Sequence, residues 1–123
     1  PADALESIDA LVPVPLFSAR YRERGFNQSE EICKGISRLT RLPILTSVLL
    51  RTRYTQQQAK FSREQRMDNV RGAFRVKNSE SIAGKRIALV DDVITTGSTM
   101  NECAKCLIKA GASQAVVFSI ARI

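Results

Sequence analysis

Hydrophobic and polar positions along the chain predict strands that alternate with helices. Short apolar runs at residues 8–14 and 86–90 have the length and composition of buried strands. Asn27 is a favourable N-cap residue, and a stripe of apolar residues at helical spacing follows it. The full predicted order is a strand at 8–14, a helix after Asn27 with the stripe Ile32, Cys33, Ile36 and Leu39, strands at 44–50, 73–76 and 86–90, a helix at 99–110 and a strand at 114–120. This order predicts one α/β domain with a mostly parallel, twisted sheet flanked by helices.

Residues 86–120 carry the clearest pattern. A strand at 86–90, a loop at 91–98, a helix at 99–110 and a strand at 114–120 form a βαβ unit, whose crossover is expected to be right-handed. Gly111 is a suitable residue just past the helix. The predicted buried face of this helix consists of Met100, Cys103, Ala104, Leu107 and Ile108.

The three cysteines are predicted to be reduced. Cys103 and Cys106 spell C-x-x-C, but a zinc site needs two more ligands, and the chain has Cys33 and no histidine to offer. We therefore interpret these cysteines as core residues. An odd cysteine count and the absence of a signal-peptide pattern predict a cytoplasmic location, and no apolar run is long enough to span a membrane.

Positive charge is concentrated in one part of the chain. The net charge is +7, and residues 51–77 carry eight basic against two acidic residues, a balance of +6. This stretch includes residues 52–69, which are polar and show no convincing period. An anionic partner, either a polyphosphate or nucleic acid, explains such a concentration, and a solvated basic loop is the alternative.

Residues 91–99 combine two acids with a hydroxyl-rich turn in front of a helix. Ligands of open α/β sheets bind at the carboxyl ends of strands, where helix N-termini bind anions. Asp91 and Asp92 can accept hydrogen bonds from sugar hydroxyls, or hold Mg²⁺ through its waters. The predicted phosphate-binding residues are Thr95, Thr96, Gly97, Ser98 and Thr99. The pattern therefore predicts a sugar-phosphate site.

Other interpretations of these motifs are weaker. Thr99 and Glu102 also have the spacing of a plain capping box. No Walker A loop occurs, since Gly84-Lys85 is followed by Arg86, and Val93 breaks a phosphoaspartyl motif. The lack of histidine excludes Ser-His and Cys-His nucleophilic chemistry.

The segment from Val90 to Thr99 resembles the phosphoribosyl pyrophosphate (PRPP) signature of type I phosphoribosyltransferases. Beyond it, the chain resembles the competence protein F family, which is similar to glutamine amidophosphoribosyltransferases. This resemblance is carried by Val-Pro-Val-Pro at 12–15, Arg-Gly-Phe-Asn-Gln at 24–28 and Arg-Met-Asp-Asn-Val-Arg-Gly-Ala-Phe at 66–74. It implies a single Rossmann-like domain over residues 1–123. The hood, the subdomain that usually recognises the acceptor in this family, would be reduced or absent. The family's N-terminal cysteine-rich module is missing, which implies the C-terminal part of a longer protein.

The resemblance also implies a role for each matching position. Asp91 and Asp92 would contact the ribose hydroxyls as the catalytic and Mg²⁺-binding pair, and residues 95–99 would hold the 5′-phosphate. Arg20 and Arg24 would belong to a pyrophosphate-binding loop, and residues 52–69 to a loop that closes over the substrate. On charge alone, Arg63 and Arg66 are the expected pyrophosphate contacts from that loop.

Three functions remain open at this point. The first is phosphoribosyl transfer from PRPP with Mg²⁺ to an acceptor that the sequence does not name. The second is a non-catalytic module that handles single-stranded DNA, which the competence association and the basic stretch favour. Within its polar segment 52–69, only Tyr54 and Phe61 are aromatic, which is few for stacking against the bases of a single strand. The third is a sensor that binds PRPP without turning it over.

Overall fold

The computed structural model describes residues 7–15, 25, 27–52, 72–94 and 97–122. In chain order the elements are strand β1 (Ala10–Pro13), helix α1 (Gln28–Thr40), strands β2 (Leu49–Arg51) and β3 (Phe74–Val76), a 3₁₀ turn (Ser79–Ser81), strand β4 (Arg86–Ile94), helix α2 (Ser98–Lys109) and strand β5 (Gln114–Arg122). In the ranges described, no helix has the length and apolar character that crossing a membrane requires.

Strand β4 is the centre of a parallel sheet with the order β1-β4-β5. β1 pairs with it over Ala10–Pro13, and β5 pairs with it from Arg86 to Ile94. The α/β order and the parallel pairing agree with the sequence prediction. Parallel neighbours end at the same edge, so the carboxyl ends of β1 and β4 meet there.

The β4 strand is longer than its hydrophobic pattern predicts. The predicted loop begins at Asp91, but Asp91 pairs with Ser119 and Val93 pairs with Ala121 of β5. The prediction of a loop over 91–94 is therefore wrong, because the hydrogen-bond ladder with β5 continues where the apolar run stops. As a result, the two acids lie on a regular strand.

The predicted strand at 44–50 is also only partly correct. Ile44 makes an isolated parallel bridge to Leu11, and only Leu49–Arg51 forms a strand. This strand, β2, pairs antiparallel with β3 in a separate two-stranded sheet. β3 lies against α2, where the Cys106 thiol donates to the Phe74 carbonyl oxygen at 3.4 Å.

Two hydrophobic clusters cover the two faces of the parallel sheet. The α1 face packs Cys33 against Leu11, Ala88 and Val90, with Ile32, Ile36, Val116 and Phe118 around them. The α2 face packs Met100, Cys103 and Leu107 against Val12, Ile87, Leu89 and the β2–β3 pair. Burial raises the pKa of Cys33 to about 12 and also raises that of Cys103, which agrees with the interpretation of these thiols as core residues.

Two residues of the predicted helix stripes are exposed. Leu39 is 89% exposed and Ile108 is 48% exposed. Each lies on the flank of its helix, and a helix that packs on a sheet buries a stripe only somewhat wider than about 100° of its circumference. The predicted faces are therefore correct at their centres and too wide at these two positions.

The end of α2 fits its prediction closely. Gly111 has φ 117°, in the region that favours glycine. Its N–H donates to the Ile108 carbonyl, and the Ala112 N–H donates to the Leu107 carbonyl, both at 3.0 Å. This is the Schellman pattern, which satisfies carbonyls at the helix end and directs the chain into β5.

Candidate functional site

Asp91 and Asp92 lie where β1 and β4 end side by side. The Val14 N–H donates to the Val90 carbonyl at 2.9 Å, so the pairing of the two strands continues up to the residue before Asp91. Carboxyl ends of neighbouring parallel strands are the usual binding edge of an open α/β sheet. The structure therefore places both predicted acids at that edge.

The N-terminus of α1 is fixed against the same edge by Asn27. The Asn27 amide nitrogen donates to the Val14 carbonyl at 3.0 Å, and its oxygen accepts from the Ser29 N–H at 3.0 Å. The second contact is the N-cap bond that the sequence predicts. The first contact was not predicted, and it connects the start of α1 to the end of β1.

Ser29 extends this connection to Asp91. Its hydroxyl donates to Asp91 Oδ1 at 2.9 Å, and the Asp92 N–H donates to the same oxygen at 2.8 Å. No sequence pattern assigned Ser29 a role at the site. Its contact spans 62 positions of the chain, so no local pattern reveals it.

Asp91 has a raised pKa, although it lies at the edge of the sheet. Burial, followed by a hydrogen-bonding contact with the Asp92 carboxyl, raises the pKa of Asp91 from 3.8 to about 6. The Asp92 N–H and the Ser29 hydroxyl act in the opposite direction, because both donate to the charged form. Perturbed carboxylates of this kind cluster at functional sites.

Helix α2 begins at the same edge with Gly97 as its N-cap residue. Gly97 has φ 81°, and no side-chain hydrogen bond caps this end. Ser98 is therefore the first helical residue, one earlier than predicted. The Thr99–Glu102 capping box is not formed, because the helix begins at Ser98 and Thr99 lies inside it. Glu102 Oε1 accepts from the Gly72 N–H at 3.2 Å. The first N–H groups of a helix, together with its dipole, favour a bound anion.

These elements enclose one pocket of about 210 Å³ at the sheet edge. Drug-sized ligands occupy sites of roughly 300–1,000 Å³, so this volume suits a small polar ligand or part of a larger one. The lining residues come from the carboxyl ends of β1 and β4, from both helix starts and from β2, and they are Val14, Pro15, Asn27, Gln28, Ser29, Arg51, Asp91, Asp92 and Thr99.

Arg51 adds a positive charge to this pocket. Its guanidinium lies over the Phe74 ring, 4.8 Å from the ring centre, so a cation–π contact orients it. Arg51 was predicted as part of the basic stretch and not as a site residue. The pocket thus has carboxylates and a guanidinium among its lining groups.

The predicted site residues are partly brought together. Asp91, Asp92 and Thr99 line the pocket. Gly97 and the buried Ser98 lie at the α2 start, next to Thr99. The other predicted positions lie outside the described residues, namely Thr95, Thr96, Arg20, Arg24, Arg63 and Arg66, together with residues 53–69 of the predicted loop.

The donor set of the pocket fits Mg²⁺ better than a transition metal. Among the described residues, no group of three or more histidine, cysteine, aspartate or glutamate side chains is arranged to hold a metal ion. Mg²⁺ does not need such a cage, since it commonly binds through one or two carboxylates, several waters and substrate phosphates. Asp91 and Asp92 can supply the carboxylates.

Most of the chain matches one protein-family model. Residues 29–122 match the family described as the phosphoribosyl transferase domain. The chain belongs to this family. The match starts at Ser29 and includes strands β2 to β5, both helices from Ser29 onward and the acid pair. It therefore covers the site described above except for Val14, Pro15, Asn27 and Gln28.

Relatives of this phosphoribosyl transferase domain confirm the predicted resemblance to the competence protein F family. The chain is 39% identical to competence protein F of Haemophilus influenzae over 115 residues, which are 93% of this chain and 50% of that protein. It is 37% identical to DNA utilization protein YhgH of Escherichia coli over 118 residues, 96% of this chain and 51% of that protein. The chain therefore spans about half the length of these relatives.

Solved structures confirm the predicted fold class. A glutamine PRPP amidotransferase from Bacillus subtilis, in complex with ADP and GMP, matches with a TM-score of 0.61 and 25% identity over 91% of this chain and 22% of that one. An allosteric regulatory enzyme of purine biosynthesis matches with the same TM-score of 0.61 and 26% identity over 94% of this chain and 23% of that one. The domain thus has the type I phosphoribosyltransferase-like α/β fold.

Proposed function

We propose that this domain binds PRPP with Mg²⁺ and acts in phosphoribosyl transfer. In this reaction class, pyrophosphate leaves C1 of the ribose and an acceptor takes its place. The observation that carries the proposal is the common pocket of Asp91, Asp92 and Thr99, with the start of α2 beside it. Acids that accept from sugar hydroxyls therefore lie close to a helix start that favours phosphate.

Different residues of the pocket would bind different groups of PRPP. Asp91 and Asp92 accept hydrogen bonds from the ribose hydroxyls, and residues 95–99 with the α2 N-terminus hold the 5′-phosphate. Arg51 lines the same pocket and would supply positive charge for an anionic ligand. Positioning and charge stabilisation supply most of the catalysis in such a site, because the protein contributes no covalent step.

Mg²⁺ would be held by Asp91 and Asp92, in part through water. When bound, it neutralises charge on the pyrophosphate and so makes that group easier to release. The chain's own contribution is to keep two carboxylates at the strand end, one of them anchored by the Ser29 hydroxyl and the Asp92 N–H.

Isothermal calorimetry with PRPP and Mg²⁺ tests the proposal directly. Replacing Asp91 and Asp92 together by Asn removes both charges at nearly constant shape. Hydrogen bonds to charged groups contribute about 1.5–3 kcal/mol each, so the double variant should bind at least tenfold more weakly. Binding that is unchanged in the double variant would disprove the site.

Asp9→Asn is the matched control for this experiment. Asp9 lies beside the amino end of β4, at the opposite edge of the sheet, where its carboxylate pairs with Arg86 at 3.2 Å. It is also an aspartate with charge-assisted contacts, but it does not line the pocket. We expect Asp9→Asn to bind PRPP as tightly as the unaltered protein.

The names of the relatives favour a second candidate, the handling of single-stranded DNA. The positive balance of +6 over residues 51–77 supplies the charge for it. Titration with a labelled oligonucleotide at several salt concentrations tests this function. Affinity that falls steeply with salt supports it, whereas no binding at low salt removes it.

A further inference from the structure

Ser29 is a buried hydroxyl residue in the first turn of α1, with only 2% of its surface exposed. Its backbone N–H is occupied by the Asn27 cap, and its side chain makes a hydrogen bond outside its own helix. That bond ends on Asp91 Oδ1 at 2.9 Å. Asn27 already caps the helix, so the hydroxyl of Ser29 is not needed for capping.

Two donors meet on one oxygen of Asp91. The Ser29 hydroxyl comes from α1, and the Asp92 N–H comes from β4 itself, 2.8 Å away. A carboxylate held by one donor can rotate about χ2 at little cost, since the energy profile of this torsion in aspartate is broad. A second donor from another direction restricts the turn and so fixes how the carboxylate is presented to the pocket.

The position of Ser29 is itself fixed by the fold. Asn27 joins the start of α1 to the end of β1 through the Val14 carbonyl at 3.0 Å. Cys33, one turn after Ser29, is fully buried against the same sheet. The Ser29 hydroxyl is therefore presented to Asp91 by a rigid element, which is the requirement for orienting a binding group.

We propose that Ser29 is a positioning residue, which orients the Asp91 carboxylate for the ribose hydroxyls by holding Oδ1 from the side of α1. This inference rests on the proposed function, since it deepens the role of the same pocket. Ser29 acts through Asp91 and need not touch the ligand. Its loss should weaken binding of the sugar without removing the pocket.

Two alanine variants of the same helix test this role. Ser29→Ala removes the hydrogen bond to Asp91, and Ser37→Ala removes the equivalent hydroxyl bond at the other end of α1, where Ser37 Oγ donates to the Leu42 carbonyl at 2.7 Å. We expect similar small losses in melting temperature from both variants. In calorimetry with PRPP and Mg²⁺, Ser29→Ala should bind about tenfold more weakly, and Ser37→Ala should bind like the unaltered protein.

A double-mutant cycle separates positioning from a general loss of stability. In an Asp91→Ala background, Ser29→Ala should change the remaining affinity by less than about twofold, because its target is already gone. Ser29→Cys supplies the same comparison with a side chain of similar shape and a weaker donor, should Ser29→Ala not fold. It should also bind several-fold more weakly than the unaltered protein.

The outcomes distinguish this inference from the proposed function. If the unaltered protein does not bind PRPP, the proposed function fails and the positioning role fails with it. If it binds PRPP and Ser29→Ala binds equally well, only the positioning role is overturned. An equal loss from Ser29→Ala with and without Asp91 also overturns it, because Ser29 would then act on its own.

Discussion

Replacing Asp91 by Asn should make the domain more stable at neutral pH. The Asn oxygen can accept from the Ser29 hydroxyl and the Asp92 N–H just as Oδ1 does, so both hydrogen bonds are retained. Only the charge disappears. The pKa of Asp91 is raised by burial to about 6, which means that the folded protein opposes this charge.

The magnitude follows from proton linkage. For a folded pKa of about 6 against 3.8 in the unfolded chain, the cost of the charge is small below pH 4, grows as pH rises, and levels off above pH 6. It amounts to about 1 kcal/mol at pH 4.5 and about 3 kcal/mol at pH 7.5. Asp91 is only partly buried, so solvent reduces both values, and a gain of about 1–3 kcal/mol at pH 7.5 is the expected range.

Urea unfolding at pH 4.5 and pH 7.5 measures this effect. The gain in unfolding free energy from Asp91→Asn should be at least twice as large at pH 7.5, and the melting temperature there should rise by several degrees. Asp9→Asn is again the control, with the opposite sign. Arg86 lowers the pKa of Asp9 by hydrogen bonding, so the Asp9 charge favours the folded state and its removal should cost stability only above about pH 4.

A stability gain that does not depend on pH would refute this reasoning, as would a loss at pH 7.5. The prediction has a functional side as well. The Asp91→Asn variant should be more stable than the unaltered protein and yet bind PRPP more weakly. For a residue that serves only packing, we would instead expect its replacement to lower stability. Both measurements on one variant therefore test whether Asp91 is retained for the pocket at the expense of the fold.

Three further predictions concern the surroundings of Asp91. Asn27→Ala should lower the unfolding free energy by about 1–2 kcal/mol, through the lost cap and the lost bond to the Val14 carbonyl, in urea unfolding. Gly97→Ala should lower the unfolding free energy by about 1–2 kcal/mol, because alanine is strained at a φ of 81°. No described atom lies within 4 Å of the added Cβ, so this cost is backbone strain and not a clash. A change near zero would show that the backbone at the start of α2 relaxes. Removing Mg²⁺ with EDTA should weaken PRPP binding at least tenfold in calorimetry, and equal affinity with and without the ion would exclude a metal-assisted site.

The local sequence pattern predicted correctly those elements that are determined by residues close together in the chain. The β1 and β4 cores, the Asn27 cap and the end of α2 at Gly111 follow from apolar runs and from residues with special backbone or capping properties. The same pattern failed at the end of β4, because Asp91 looks like the first residue of a loop. Its strand conformation depends on Ser119 of β5, which a window around residue 91 does not contain.

The site shows the same division between local and distant information. Asp91, Asp92 and Thr99 were predicted because they lie within one strand–turn–helix segment. Ser29 and Arg51 were missed because each reaches the pocket from another element, and their short-range neighbours give ordinary reasons for a serine and an arginine. Only the parallel pairing of β1 with β4 and the packing of α1 beside them bring Ser29 to Asp91.

The charge distribution of the pocket also argues for the type of ligand. Two donors on Oδ1 compensate the Asp91 charge only in part, since burial still raises its pKa to about 6. A ligand that brings hydroxyl donors or a hydrated cation to this carboxylate would relieve the remaining cost. A simple anion would not, because it would add repulsion at Asp91 and Asp92 while it gained at Arg51 and the α2 start. The pocket thus favours a molecule with donors at one end and phosphate at the other over inorganic phosphate, and ribose 5-phosphate should bind more tightly than phosphate in the same calorimeter cell.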